Sequence, residues 1–300
     1  MNYAEEIRKL AKEKGALILA HNYQPTEIQD VADITGDSLE LARKAKDAKE
    51  NLIVMCGVYF MAETAKILSP EKTVLCPRTD AGCSLADQLT PEAVKQAKKQ
   101  NFNAPFVVYV NSTAATKAEC DITCTSANAA DIVRSLESST VLFGPDSNLA
   151  EWVQRQLPEK IIIPVPRGGG CPTHCKFTAE DVIEARKKYP KATIICHPEC
   201  SPEVQVECDL VGSTGYMMRN CGDKDEWVII TESGILHPLQ KKYPDKIFHV
   251  TESAICPSMK FISLEDLYIS LRDGTTKVEV PENISSRARK AIERMIEVSK

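Results

Sequence analysis

The sequence predicts an α/β protein: three homologous three-layer αβα units with parallel sheets, set about a pseudo-threefold axis with the active site at the centre. Three observations carry this. Apolar runs of strand length alternate with amphipathic helical stretches. The runs are short and continuous, as in parallel strands covered on both faces, and unlike exposed hairpins. The pattern returns three times at a nearly fixed interval, the mark of an internal repeat.

The first strand of each copy reads ALILAHNYQ from residue 16, APFVVYVNS from residue 104 and ATIICHPEC from residue 192, two steps of 88. The punctuation that follows also steps by 88: Ser38 in GDSLELA, Ser126 in CTSANAADIV and Thr214 in GSTGYMM. A second strand comes next, as NLIVMCG (51–57), STVLFGP (139–145) and EWVIITE (226–232), before a helical stretch closed by LSPEK, LPEK or YPDK. The third strand, VLCP, IIIPVP or IFHVTE, runs into a Cys-containing loop. That loop opens the next helix at TPEAVKQAKK, TAEDVIEARKK or SLEDLYISLRD, where Ser or Thr with a following acid is a start signal. YAEEIRKLAKEKG takes the same place at the head of the cycle. The units are expected at 1–86, 87–174 and 175–273. The tail 274–300, strand-like KVEV and then a helix, lies outside the triplication and is expected to return onto the first unit.

Composition limits what such a protein can do. With 43% hydrophobic and 26% charged residues the 300-residue chain reads as globular, and its net charge of -5, with basic residues scattered, argues against nucleic acid or an anionic membrane as partner. No apolar run reaches the roughly 18–20 residues of a membrane span, and the amphipathic N-terminus has no signal-peptide core, so a cytoplasmic protein is expected. Twelve cysteines in a reducing compartment point to metal ligation or catalysis for some and to buried apolar thiols for most.

In open parallel sheets ligands bind beyond the carboxyl ends of the strands, and three units about one axis aim those ends at one place. Cys83 (RTDAGCSLADQ), Cys171 (PRGGGCPTHC) and Cys256 (TESAICPSMK) follow the third strand of their copies, 88 and 85 residues apart. No local CxxCxxC surrounds them, so a ferredoxin-type loop is excluded. One thiol per unit makes a three-thiolate site. Soft ligands suit zinc or an iron–sulfur cluster, but structural zinc wants four ligands. A cubane on three cysteines leaves one iron open as a Lewis acid. At the first-strand ends, His21/Tyr23, Tyr109/Asn111 and His197/Glu199 are alternate residues of extended segments and are expected to face the axis as proton-transfer groups. Ser38, Ser126 and Thr214 are expected at helix starts, as N-caps and as an inward anion site together. His174 either lines the site or caps the next helix. Gly168–Gly170 lacks the Lys-Ser/Thr of a phosphate loop and is expected to let the backbone approach the metal beside Cys171.

Taken in order, LAHNYQPTEIQDVAD, TGDSLELA, YVNST, TSANA, FGPD, HPEC, STGYM and CPSMK resemble the quinolinate synthase family over about residues 16–262. The resemblance implies a transferase of NAD (pyridine nucleotide) biosynthesis that condenses iminoaspartate (iminosuccinate) with dihydroxyacetone phosphate to quinolinate, releasing phosphate and water. It implies a [4Fe–4S] cluster on Cys83, Cys171 and Cys256. Substrate contacts are implied for His21, Ser38, Tyr109, Val110, Asn111, Ser126, His197, Pro198, Glu199 and Thr214, with Tyr23 nearby. Of these, Glu199 and Tyr23 are expected to move protons, with His21 and Tyr109 beside them. A transient contact with the iminoaspartate-producing enzyme is expected. A C-x-x-C-x-x-C run that some members carry near the C-terminus is absent, since Cys256 stands without such neighbours. Two rival readings stand beside this one. Against a non-catalytic iron–sulfur or zinc regulator stand the lack of a basic nucleic-acid element and the number of acid–base residues about the axis. A metal-free dicarboxylate-binding protein would be excluded by iron and sulfide copurifying at about four each per chain.

Overall fold

A computed structural model describes residues 2–250 and 255–299. The end of the third-strand run IFHVTE and the start of the last Cys loop fall outside the described residues.

The first unit runs α1 (Tyr3–Lys14), β1 (Ala16–His21), α2 (Thr26–Val31), β2 (Ile34–Gly36), α3 (Ser38–Asp47), β3 (Leu52–Cys56), α4 (Tyr59–Leu68) and β4 (Thr73–Leu75). The second repeats it as α5 (Pro91–Gln100), β5 (Phe106–Tyr109), α6 (Ala114–Lys117), β6 (Ile122–Cys124), α7 (Ala129–Arg134), β7 (Thr140–Gly144), α8 (Ser147–Gln156) and β8 (Ile161–Pro164). The third is α9 (Ala179–Lys188), β9 (Thr193–Cys196), α10 (Pro202–Glu207), β10 (Leu210–Val211), α11 (Thr214–Asn220), β11 (Glu226–Ile230), α12 (Leu236–Lys242) and β12 (Ile247–Val250). Two helices follow, α13 (Leu264–Asp273) and α14 (Glu282–Val298). Among the described residues no helix is long and apolar enough to cross a membrane.

The strands form three four-stranded sheets of one topology, β2-β1-β3-β4, β6-β5-β7-β8 and β10-β9-β11-β12, and every pairing between these strands is parallel. Each unit therefore has an edge strand beyond the three read from apolar runs. At two or three residues, β2, β6 and β10 are too short to show a period. An aspartate marks each one: Asp33, Asp121 and Asp209, two steps of 88, accept the backbone N–H of Ile18, Phe106 and Ile194 at 2.7, 2.7 and 2.8 Å. The carboxylate satisfies a backbone donor where the edge strand begins.

Alternation along the first strands separates two faces. Leu19, Val107 and Ile195 enter one core shared by all three units with residues of α3, α4, α7 and α8. Ile18 and Ala20 face the core of α1 and α13; Phe106 and Val108 that of α5; Ile194 and Cys196 that of α9 and α10. The helix after each Cys loop covers the next sheet along, and α13 closes the cycle on the first. There Leu267 and Leu271 join Ile7 and Ala11, and Tyr3 donates to Glu265 at 2.8 Å. The Cys loops are thus the connections between units, which is why they gather where the units meet. Beyond α13, residues 276–278 run antiparallel along β4, with Cys76 N–H donating to Thr276 O and Val278 N–H to Val74 O. The last helix, α14, lies between α4 of the first unit and α6 and β6 of the second.

Candidate functional site

Where the three sheets' carboxyl ends meet, a cavity of about 280 Å³ is lined by Cys83, Cys171 and Cys256 together with His21, Tyr23, Ser38, Tyr109, Val110, Asn111, Ser126, His197, Glu199 and Thr214. Every site residue read from the sequence lines it except Pro198, whose carbonyl instead accepts from Gln205 Nε2 at 2.9 Å. In the order β2-β1-β3-β4 the chain adds β2 on one side of β1 and β3 on the other, so the gap that admits a ligand opens at the end of β1 and of its two counterparts.

The thiols are presented alike. Cys83, Cys171 and Cys256 each stand just before a single 3₁₀ turn, Ala86–Gln88, His174–Lys176 and Ser258–Lys260. Backbone N–H groups at each turn favour the thiolate: those of Leu85 and Ala86, of His174, and of Met259 and Ser258. Burial pushes all three thiols up, Cys83 to about 12, and these N–H groups act the other way. Half-buried sulfurs beside N–H groups that favour the thiolate suit ligands whose charge a metal completes. One of the three loops is held by a carboxylate that follows β11: Glu232 Oε1 accepts the N–H of Cys256 at 3.2 Å. Its counterpart after β7, buried Asp146, caps α8 by accepting Leu149 N–H at 2.8 Å. Burial, then Glu199, raises Asp146 well above the usual carboxylate range. The matching residue in the first unit is Val58.

At the strand ends the imidazoles are wired identically. The backbone N–H of Tyr23 donates to His21 Nδ1 and that of Glu199 to His197 Nδ1, both at 3.2 Å. An acceptor Nδ1 means a neutral ring with its proton on Nε2. His197 Nε2 meets Ser126 Oγ at 3.1 Å. Burial lowers His21 to about 4 and His197 to about 3, although Glu199 pulls both upward.

Glu199 is buried and fully engaged. Tyr109 OH donates to its Oε1 at 2.6 Å and His174 Nδ1 lies 2.6 Å from its Oε2. Burial alone would raise the carboxyl, but His174, His197 and the Tyr109 hydroxyl hold it well below the usual carboxylate range. His174 therefore lines the site and caps nothing by its side chain. Its Nε2 lies 2.8 Å from Thr231 Oγ1, which is 2.6 Å from Tyr23 OH. One direction of donation satisfies the whole chain: Tyr23 O–H to Thr231, Thr231 O–H to His174 Nε2, His174 Nδ1–H to Glu199. Thr231 has no counterpart in the other units, where Gly57 and Pro145 stand, and no spacing pointed to it.

The hydroxyl ring corrects one expectation. The caps are the residues before Ser38 and Thr214: Asp37 accepts Glu40 N–H and Ser213 accepts Tyr216 N–H. In the second unit the residue before α7 is Asn128, whose Oδ1 accepts Thr125 N–H. Capping by a neighbour leaves the hydroxyls of Ser38 and Thr214 free for the cavity. Asp37, itself a lining residue, was legible one position before Ser38.

Cys171 Sγ, a His174 ring nitrogen and a Glu199 oxygen lie within 4.8 Å of one another. A single ion fits this trio poorly, because the 2.6 Å between His174 Nδ1 and Glu199 Oε2 is a hydrogen bond, closer than two ligands of one tetrahedral ion stand. The three cysteine sulfurs that line the cavity are the better metal cradle.

The family model described as quinolinate synthetase A protein matches residues 5–297. The chain is 54% identical over 300 residues to a quinolinate synthase of Pyrococcus abyssi, covering 100% of both chains. It is 47% identical over 306 residues to one of Methanocaldococcus jannaschii, covering 99% of each. It is also 47% identical over 297 residues to one of Thermotoga maritima, covering 98% of this chain and 99% of the other.

Proposed function

The chain belongs to the quinolinate synthase family, and from that premise we propose that its central cavity condenses iminoaspartate with dihydroxyacetone phosphate to quinolinate, releasing phosphate and water, beside a [4Fe–4S] cluster held by Cys83, Cys171 and Cys256. The observation that carries the reading is one cavity that combines a thiol from each of three inter-unit loops with two Nε2-protonated imidazoles and an ionised carboxylate.

A cluster held by three cysteines supplies one iron without a protein ligand, a Lewis acid for a substrate oxygen or carboxylate. The chain's own groups do the rest. His21 and His197 present Nε2–H donors, and Ser38, Ser126 and Thr214 present hydroxyls, which together hold carboxylates and the triose phosphate without adding net charge. Glu199 is ionised and sits beside the reacting space, so it takes the proton from the triose carbon during enolisation. The chain behind it donates toward Glu199, so it can pass a proton only in that direction: Tyr23 O–H to Thr231, Thr231 O–H to His174 Nε2 and His174 Nδ1–H to the carboxylate, with the Tyr23 oxygen taking a substrate proton in exchange. Tyr109 OH on Glu199 Oε1 fixes the carboxylate's orientation throughout.

The test is an anaerobic assay with both substrates on protein analysed for iron and sulfide. Quinolinate formation with about four of each per chain is expected. Single Cys→Ala changes at Cys83, Cys171 and Cys256 should each abolish the brown absorbance. Cluster-replete protein that makes no quinolinate would end the reading, and a full cluster in one variant would remove that residue from the ligand set.

A further inference from the structure

Outside the cavity, one repeat position holds three buried side chains, Gln29, Lys117 and Gln205, two steps of 88 apart. Gln29 Nε2 donates to the carbonyls of Asn22 and Gln24 at 3.1 and 2.8 Å. Gln205 Nε2 donates to those of Pro198 and Cys200 at 2.9 and 2.6 Å. Each amide ties the loop after its first strand back to the following helix. In the second unit Lys117 Nζ makes the corresponding tie to Ser112 O at 2.5 Å. An amide suffices twice, so the loop itself does not call for a charge.

Yet this ammonium is 0% exposed. A buried cation is costly unless something offsets it. Among the described residues no carboxylate comes within 4.0 Å of it. The strongest charge acting on it is Glu63, whose Oε2 already accepts Ala114 N–H at 3.0 Å; Cys120 and then Cys83 follow. Burial accordingly brings the ammonium down to about 8. Its Nζ stands 5.1 Å from the ring centroid of Phe60, and Phe60 lines the catalytic cavity with Cys83. Among the described lining residues the one permanent cation is Lys176, which is exposed.

We propose that Lys117 is the buried countercharge of the thiolate-held metal centre, a positioning residue one aromatic ring behind the cavity wall on the Cys83 side. It offsets the negative charge that the three sulfurs bring when they bind metal, and the metal centre in turn offsets an ammonium that the metal-free fold leaves short of a partner. Charges separated by a few side chains in a dry interior interact far more strongly than at a surface. The inference rests on the three-thiolate reading above.

The experiment compares wild type with Lys117→Gln, which installs the amide of the other two units, and with Lys117→Met, each metal-free and anaerobically loaded. Thermal melting of the metal-free variants should hold level or rise. The loaded variants should lose iron to a chelator about 10-fold faster or more, the usual scale for a group that supports metal ligands. Their reduction should shift to more negative potential, since a nearby positive charge has gone. Equal loss of stability in both forms, with unchanged iron loss and potential, would overturn the proposal and leave Lys117 a loop tie. Should neither variant accumulate, Glu63→Gln supplies the second arm. It weakens the ammonium's main carboxylate, so metal-free protein should lose more stability than loaded protein, and equal losses would overturn the proposal. Wild type that takes up no metal sinks the three-thiolate reading itself, an outcome distinct from loaded wild type matched by its variants.

Discussion

The strand ends of the first and third units begin as copies and finish as different tools. Both place a histidine at the same register, and both fix its tautomer with the backbone N–H two residues on, at the same 3.2 Å. Two positions after the histidine, however, one unit has Tyr23 and the other Glu199. The repeat supplies location and orientation; departures from the repeat supply acid–base function. The same holds for the rest of the relay. Thr231 stands where the other units have Gly57 and Pro145, and His174 where they have Ala86 and Met259 in the turn after the ligand cysteine.

The largest break in the comparison is at its acidic end. Glu199→Gln keeps the shape and the bond from Tyr109 but removes the base. Turnover should fall about 10²–10⁴-fold, the range for a general acid–base group, with iron content unchanged. Near-normal turnover would mean that Glu199 is no more catalytic than a buried amide and that the two strand ends are equivalent after all.

A smaller effect tests the link between the ends. Thr231→Val removes the hydroxyl that joins His174 to Tyr23 while keeping the side chain's shape. One buried hydrogen bond is worth about 1–1.5 kcal/mol, so turnover should fall about 10-fold, and Thr231→Ser should restore it. Tyr23→Phe cuts the same chain at its far end and should match Thr231→Val. If Thr231→Val and Tyr23→Phe differ widely, or if Ser fails to rescue, the chain is a structural tie and carries no proton.

Much of this was legible in the sequence because the repeat multiplies weak signals. A lone His21 at a strand end says little, but His21, Tyr109 and His197 at one register, followed by Tyr23, Asn111 and Glu199, mark a face, and the strand's two-residue period carries that face to the axis. The cysteines were legible for the same reason, since each sits in a connection between units. What escaped had two causes. The edge strands β2, β6 and β10 are shorter than any periodic signal, though the Asp33, Asp121 and Asp209 step would have announced them. Thr231, by contrast, is functional because it breaks the repeat, and a residue that matches nothing leaves no trace in a pattern. Val58, Asp146 and Glu232 show the intermediate case: two are carboxylates, of which Glu232 holds a ligand loop, and the third position is apolar, so the pattern is visible only once β3, β7 and β11 are aligned by their pairing.

What the two strand ends share makes the gentlest prediction. Both imidazoles are buried and neutral, and each uses Nδ1 to accept a backbone N–H, so protonation in the fold is resisted until about pH 4 at His21 and about pH 3 at His197. In the unfolded chain a histidine takes up its proton near pH ~6.5. Between those values the unfolded state binds more protons, so stability present above pH ~6.5 drains away as pH falls toward about 4. Each histidine contributes a slope of at most about 1.4 kcal/mol per pH unit in that window. Denaturant unfolding of metal-free protein at stepped pH from 7 to 4.5 measures it, and His21→Gln or His197→Gln should each flatten the slope by one histidine's share. Equal shares would show that the shared wiring governs both rings. A much smaller share for His197 would mean that Glu199, two residues away, stabilises its protonated form enough to split the pair, carrying the functional difference between the units back into the part they have in common.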